Sequence, residues 1–190
     1  MRIKHYLLIP SLAFAAACLV GTALAKQPKP PAPSPENHLL SQWYGDWTYK
    51  VEIFATPLGE GSKATGTWTG RAILGGNGSE FILIENGVRS HEIDFWDPAA
   101  GHYGYFYLSE DGYNEVGSYD MDGTTCVFSN TFVGEDGVEY TLAGSEPISK
   151  DGKTVEKIMW LSWTDSEGSH RILYLYEKAT KLNNGCPKQH

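Results

Sequence analysis

Three histidines and a few carboxylates are the residues that could do chemistry. His91, Glu92 and Asp94 crowd into Ser90-His91-Glu92-Ile93-Asp94-Phe95-Trp96. Metal and acid–base sites use these types, but this spacing scatters them. Side chains alternate along a strand. His91 therefore shares a face with Ile93 and Phe95, and Glu92 shares the other with Asp94 and Trp96. Metal ligands must converge, so this strand alone makes a poor metal site and its charges are expected to face solvent. His102 shares a face with Gly104, Phe106 and Leu108, and His170 with Ile172, Tyr174 and Tyr176. A lone histidine in an aromatic cavity is what a haem barrel offers; one at a strand mouth is merely solvated. A Ser-His-Asp triad has no Gly-x-Ser-x-Gly elbow to stand on. Carboxylates can meet across a sheet, yet nothing singles out a glycosidase-type pair. No metal site and no catalytic set is assigned, and the chain is not expected to be an enzyme.

The aromatic residues are more suggestive. Trp47, Tyr49, Trp68, Phe106, Trp160, Trp163 and Tyr174 recur through the chain. Aromatic rings supply apolar area with a polar handle, which suits small amphipathic ligands. Trp47, Tyr49, Trp68, Phe106, Trp163 and Tyr174 are the expected ligand-binding set. The competing reading is that these rings simply fill a core.

Strands must position them. Residues 36–44 place Leu39, Leu40 and Trp43 at helical spacing, a short plug with one apolar side. From Gly45 the period becomes two: Trp47, Tyr49, Val51 and Ile53 alternate with Thr48, Lys50 and Glu52. On the next strand Gly66 and Gly70 share a face with Trp68, where missing side chains permit coiling. Asn86-Gly87, Glu110-Asp111-Gly112, Asp122-Gly123, Glu135-Asp136-Gly137, Asp151-Gly152 and Glu167-Gly168 punctuate the rest. The result is about ten strands with tight turns and no helical pattern between them. Parallel architecture would need long crossovers. The expected fold is all-β, a single antiparallel up-and-down barrel with a short N-terminal helix.

The front end is different. Residues 1–25 carry Arg2 and Lys4, an apolar run from Leu7 to Val20, and Ala23-Leu24-Ala25. This reads as a secretory signal peptide, which places the protein outside the cytoplasm, in a bacterial periplasm. Ala15-Ala16-Ala17-Cys18 loosely matches a lipoprotein box, a minor alternative. Residues 26–37 form a proline-rich linker, residues 38–180 the barrel, and residues 181–190 a polar tail. No stretch is long enough for a membrane helix. Removing Arg2 and Lys4 takes the formal charge from −8 to −10, and an acidic surface repels nucleic acid. Cys126 and Cys186 survive cleavage. In an oxidising compartment they are expected to form a disulfide that pins the tail to the barrel wall. Unpaired thiols, or pairing to another chain, are the alternatives.

Gly45-Asp46-Trp47 behind a short helix, the meander, and Arg171 on the last strand resemble the lipocalin and calycin superfamily. Gly75-Gly76 after the second strand and the segment 94–103 are similar to an uncharacterised bacterial family of lipocalin-like barrels. The resemblance covers residues 39–178. It implies that Trp47 packs across the closed end of the barrel under Arg171, as a barrel-closing pair. Nitrobindin-type haem barrels open on Gly-x-Trp-x-Gly-x-Gly; here Thr48-Tyr49-Lys50 follows Trp47, which counts against haem. No cofactor is expected. The expected role is binding a small apolar or amphipathic molecule inside the barrel. A cell-envelope interaction module with a filled barrel is the alternative, with a haem barrel or a cavity isomerase behind it.

Overall fold

The computed structural model describes residues 32–182. The leader and Cys18, most of the proline-rich linker, and Cys186 with the end of the tail lie outside them.

Ser34 starts the one α-helix among the described residues, α1 (Pro35–Leu39), by accepting a hydrogen bond on Oγ from the Asn37 N–H at 3.2 Å. Pro35 suits the first turn because its missing N–H is not needed there. The helix tightens into a 3-10 turn, Leu40–Trp43. That tightening buries Leu40 and Trp43 and leaves Leu39 exposed, so the expected apolar side is narrower than helical spacing implied.

Ten strands follow: β1 (Gly45–Ile53), β2 (Ser62–Ile73), β3 (Gly78–Glu85), β4 (Val88–Asp97), β5 (His102–Ser109), β6 (Asn114–Asp122), β7 (Thr125–Val133), β8 (Glu139–Pro147), β9 (Thr154–Asp165) and β10 (Gly168–Lys181). Each pairs antiparallel with the next, and β10 returns to β1, so the sheet closes. The closed ten-stranded barrel is consistent with a calycin-like fold. Asn86 and Gly87 make a two-residue hairpin with φ of 47° and 88°, the mirror-image turn whose twist matches its strands.

Register decides which side chains face inward. Trp47 lies opposite Trp68 on one side and Lys181 on the other. Its ring stacks on Trp68 with centroids 5.2 Å apart, and its Nε1–H donates to the Trp43 carbonyl at 2.9 Å. The short helix thereby plugs the end of the barrel where β1 begins. Asn37 Oδ1 accepts from the Trp96 N–H at 3.0 Å, and the Tyr103 hydroxyl donates to the Glu36 carbonyl at 2.8 Å. Gly66 has no side chain where the Tyr49 ring crosses β2; a Cβ there would meet that ring at 2.5 Å.

The cation over Trp47 is Lys181, 5.2 Å from the ring centroid. Arg171 instead covers Trp160 at 4.8 Å. This corrects the expected Trp47–Arg171 pair, for a reason of register. Arg171 lies opposite Ser162 near the β9–β10 hairpin, whereas Trp47 lies opposite Lys181, ten residues further along the same strand.

The seam between β6 and β7 is short. Only Asp120, Met121 and Asp122 find partners, in Val127, Cys126 and Thr125. Beyond them the two strands part, while β5–β6 and β7–β8 stay paired. No register pair links residues 114–119 of β6 to residues 128–133 of β7.

Trp47 is fully buried at the plugged end. Trp47→Ala should destabilise the barrel by roughly 3–5 kcal/mol in urea unfolding. A change near zero would remove Trp47 from the load it is assigned here.

Candidate functional site

The inner face has two unlike walls. Around β1 and β2 it is apolar: Trp47, Tyr49, Val51 and Trp68 pack with Phe81, Val155 and Ala179. Across β4–β6, and at Glu146, Lys157 and Glu177 on β8–β10, it carries charged groups. The register sets Glu92 and Asp94 on β4 opposite Tyr107 and Tyr105, and these opposite Glu115 and Gly117 on β6. On the far side Cys126 lies opposite Glu146, and Lys157 opposite Glu177.

Lys157 is the centre of this wall. Its Nζ lies 3.6 Å from Glu146 Oε2. Burial opposes its charge, but Glu146, Glu177 and Glu92 together outweigh burial and keep it protonated. The Lys157 and Glu146 side chains keep 32% and 19% of their surface accessible although both face the barrel axis. Space for solvent-sized molecules therefore surrounds them, and the barrel is not filled at this level.

The carboxylates pay a desolvation cost. Burial raises Glu92 and, more strongly, Asp94; the Glu92 charge adds to the rise of Asp94, while Lys157 and a hydrogen bond from Asp94 pull Glu92 part of the way back. Burial also pushes Glu177 up to about 7, against the pull of Lys157. Tyrosines supply the partners. Tyr119 donates to Asp94 Oδ2 at 2.6 Å, and Tyr49 to Glu85 at 2.9 Å. Tyr105 and Tyr113 donate to the two oxygens of Glu115 at 2.6 and 2.8 Å. Burial raises Tyr119 well above the usual phenol range, and Asp94 adds to it.

Of the six aromatic residues expected to bind a ligand, the structure brings Trp47, Tyr49 and Trp68 together on the apolar wall. Trp163 stands apart, stacked on His170 at 4.7 Å beside the β9–β10 hairpin. Tyr174 sits where the β9–β10 register shifts, half-buried. Phe106 must be corrected: it is 45% exposed on the outer surface, stacked on Phe95 at 5.7 Å. Tyr103, Tyr105 and Tyr107 take the inner positions of that strand.

The carboxylates of β4 were expected outside, and that too is corrected. The face split between His91 and the acids is as expected, but its direction is reversed. His91 points outward, 3.5 Å from Glu80, which also binds Arg71. Asp94 is 4% exposed and Glu92 sits beside it on the inner face. One signal was available. Trp96 shares a face with Glu92 and Asp94, and the Asp97–His102 turn pairs Trp96 with Tyr103.

Cys126 is a free thiol that faces inward beside Glu146. Cys186, its expected partner in pinning the tail to the barrel wall, lies outside the described residues. Burial first, then Glu146, pushes the thiol up, so little of the reactive thiolate forms. Among the described residues no group of three His, Cys, Asp or Glu side chains could hold a metal ion, and no helix is long and apolar enough to cross a membrane.

A scan against protein-family models finds no match, and a search of curated proteins finds none.

Two expectations follow. Glu92, Asp94 and Glu177 hold protons more tightly in the folded barrel than in the unfolded chain. For Glu177 the folded state keeps its proton from about 4.5 up to about 7, so that share of stability is full below the window and lost across it. Urea unfolding at pH 5 and pH 8 should show the barrel weaker at pH 8. Glu177→Gln should remove up to about 3 kcal/mol of that difference; an unchanged slope would take Glu177 out of the interior. In a chain carrying Cys186→Ser, iodoacetamide at pH 8 should modify Cys126 slowly when folded and quickly in urea. Equal rates would place the thiol at the surface.

Proposed function

We propose that this chain is a secreted, periplasmic small-molecule-binding barrel whose ligand is amphipathic. The observation that carries the reading is the unfilled space around Lys157, bounded by an apolar wall on one side and a charged wall on the other. An apolar group laid against Trp68 and Phe81 buries area at about 25 cal/mol per Å². The ligand's polar end then meets fixed partners instead of water. A wholly apolar ligand would leave Glu92, Asp94 and Glu177 desolvated without compensation, which disfavours it. The parted strands β6 and β7 offer a lateral way in. Kinship with the lipocalin-like bacterial barrels is part of this reading. It is supported by Trp47 at the plugged end and by the closed meander. The compartment rests on the leader pattern of residues 1–25.

A second reading has one observation in its favour. Outer residues Phe106 and Val116 are register partners, 45% and 71% exposed, and Leu108 beside them is 56% exposed. An apolar outer strip of this kind marks an interaction surface. An envelope interaction module would use it.

Native mass spectrometry on protein purified from the periplasm separates the two. A bound mass of a few hundred daltons, lost on denaturation, is the expected result. A bare protein that also shows no tryptophan quenching with any amphiphile of either charge would overturn the binding reading.

A further inference from the structure

The charges of the inner wall do not balance. Glu92, Asp94, Glu146 and Glu177 face one ammonium, that of Lys157, and Lys157 is already engaged by Glu146. Glu92 and Asp94 are two residues apart on β4 and point the same way. Asp94 is 4% exposed. Tyr119 satisfies its Oδ2, while its Oδ1 is buried and receives no hydrogen bond from any donor. The group that faces it is the Glu92 carboxyl, with which it can do no more than share a proton. A buried carboxylate oxygen without a donor is costly, and cores seldom keep one.

What is missing is a donor with positive charge. The surroundings suit an organic one. No three acidic, histidine or cysteine side chains converge for a metal ion among the described residues. Tyrosine rings flank the acids: Tyr103 and Tyr119 stack at 5.2 Å, and Tyr105 lies 6.3 Å from Tyr119. Such faces attract an ammonium group. Phe81, opposite Glu92 in register, begins the apolar wall, so an alkyl chain attached to that ammonium has a surface to follow.

We infer that the Glu92–Asp94 carboxyl pair and the tyrosine rings beside it form a subsite for the ammonium group of an amphipathic amine. The inference rests on the binding reading above and gives it a chemical class. Lys157 bounds the subsite on the far side, and its own ammonium repels a second cation placed next to it. The amine therefore belongs at the pair, where its ammonium would take over from the proton that the two acids share.

The test uses three eight-carbon probes on the full mature chain, below their micelle concentrations: octylammonium, octanoate and octyl glucoside. Binding is read by calorimetry and tryptophan fluorescence. Octylammonium should bind at least about tenfold more tightly than the other two, and Asp94→Asn or Glu92→Gln should each lose about tenfold of that affinity. Far-UV circular dichroism of each variant should keep the β signature of the unsubstituted chain, which reports that the barrel is still folded. The two variants also control for the acidic surface, since that surface attracts any cation and is left intact. Equal binding of all three probes would leave the binding barrel standing and overturn the amine subsite. A preference for octylammonium that survives both substitutions would overturn it as well. No binding of any probe would sink the binding reading together with it.

Discussion

Pairing of the first strand with the last is the constraint on which everything else depends. Once β10 lies along β1 from Leu175–Ile53 to Lys181–Trp47, every second side chain of ten strands must share one enclosed space. No strand can choose its own inner face after that, because a one-residue slip would turn a whole strand inside out. The plug of Leu40 and Trp43, the Trp47–Trp68 stack and the Lys181 ammonium all gather at the end where this seam begins. They anchor the closure, and the closure in turn buries the acids of β4 opposite the lysine of β9.

The interior that results is under electrostatic tension. Hydrophobic packing on the β1–β2 wall stabilises the barrel, while the β4–β10 wall carries carboxyl groups out of water. Tyrosines offset part of that cost through short hydrogen bonds to Asp94, Glu85 and Glu115. Lys157 offsets another part. The rest is met by protonation, since a carboxylic acid is far cheaper to bury than a carboxylate. Such tension is what a functional site retains after the surrounding structure has been optimised for packing. A core under selection for stability alone would replace a buried ion pair by apolar residues, often with a gain.

This explains which parts were legible in the sequence. Strand number, meander order, turn positions and the N-terminal plug follow from local patterns, because period two and Asp-Gly turns act over a few residues. The direction of each strand's faces is a different matter. On β4 and β5 the more apolar face, Ile93 and Phe95 with Phe106 and Leu108, is the outer one, and the face with Glu92, Asp94, Tyr105 and Tyr107 is inner. Assigning the apolar face to the core is right for β1, where Trp47, Tyr49 and Val51 point inward, and reversed for β4. Only the register through Trp96 and Tyr103 connects the two, and register is a property of the whole sheet. Arg171 fails in the same way. Its charge was legible, but its distance from Trp47 depends on how far β10 runs before it closes.

The same reversal links the inside of the barrel to its outside. Strands that spend their polar residues on the cavity must show their apolar ones to solvent, so Phe106, Leu108 and Val116 are the outer consequence of Tyr105, Tyr107 and Glu115 within. The exposed apolar strip thus has a second origin beside docking. It arises wherever a polar cavity is built on alternating strands, as it does in barrels that face lipid. Here exposed apolar residues run over β3 to β7, at Ile84, Phe106, Leu108, Val116 and Val127, and spare β1 and β2. The outer faces of β1 and β2 carry Thr48, Lys50, Thr65, Thr67 and Thr69, which belong in water. The inner wall follows the opposite order, apolar at β1 and β2 and charged at β4 to β6. Both asymmetries trace to one choice of face on β4 to β6. The cavity is the part of that choice that carries a cost in desolvated charge, and it is there that function is to be sought.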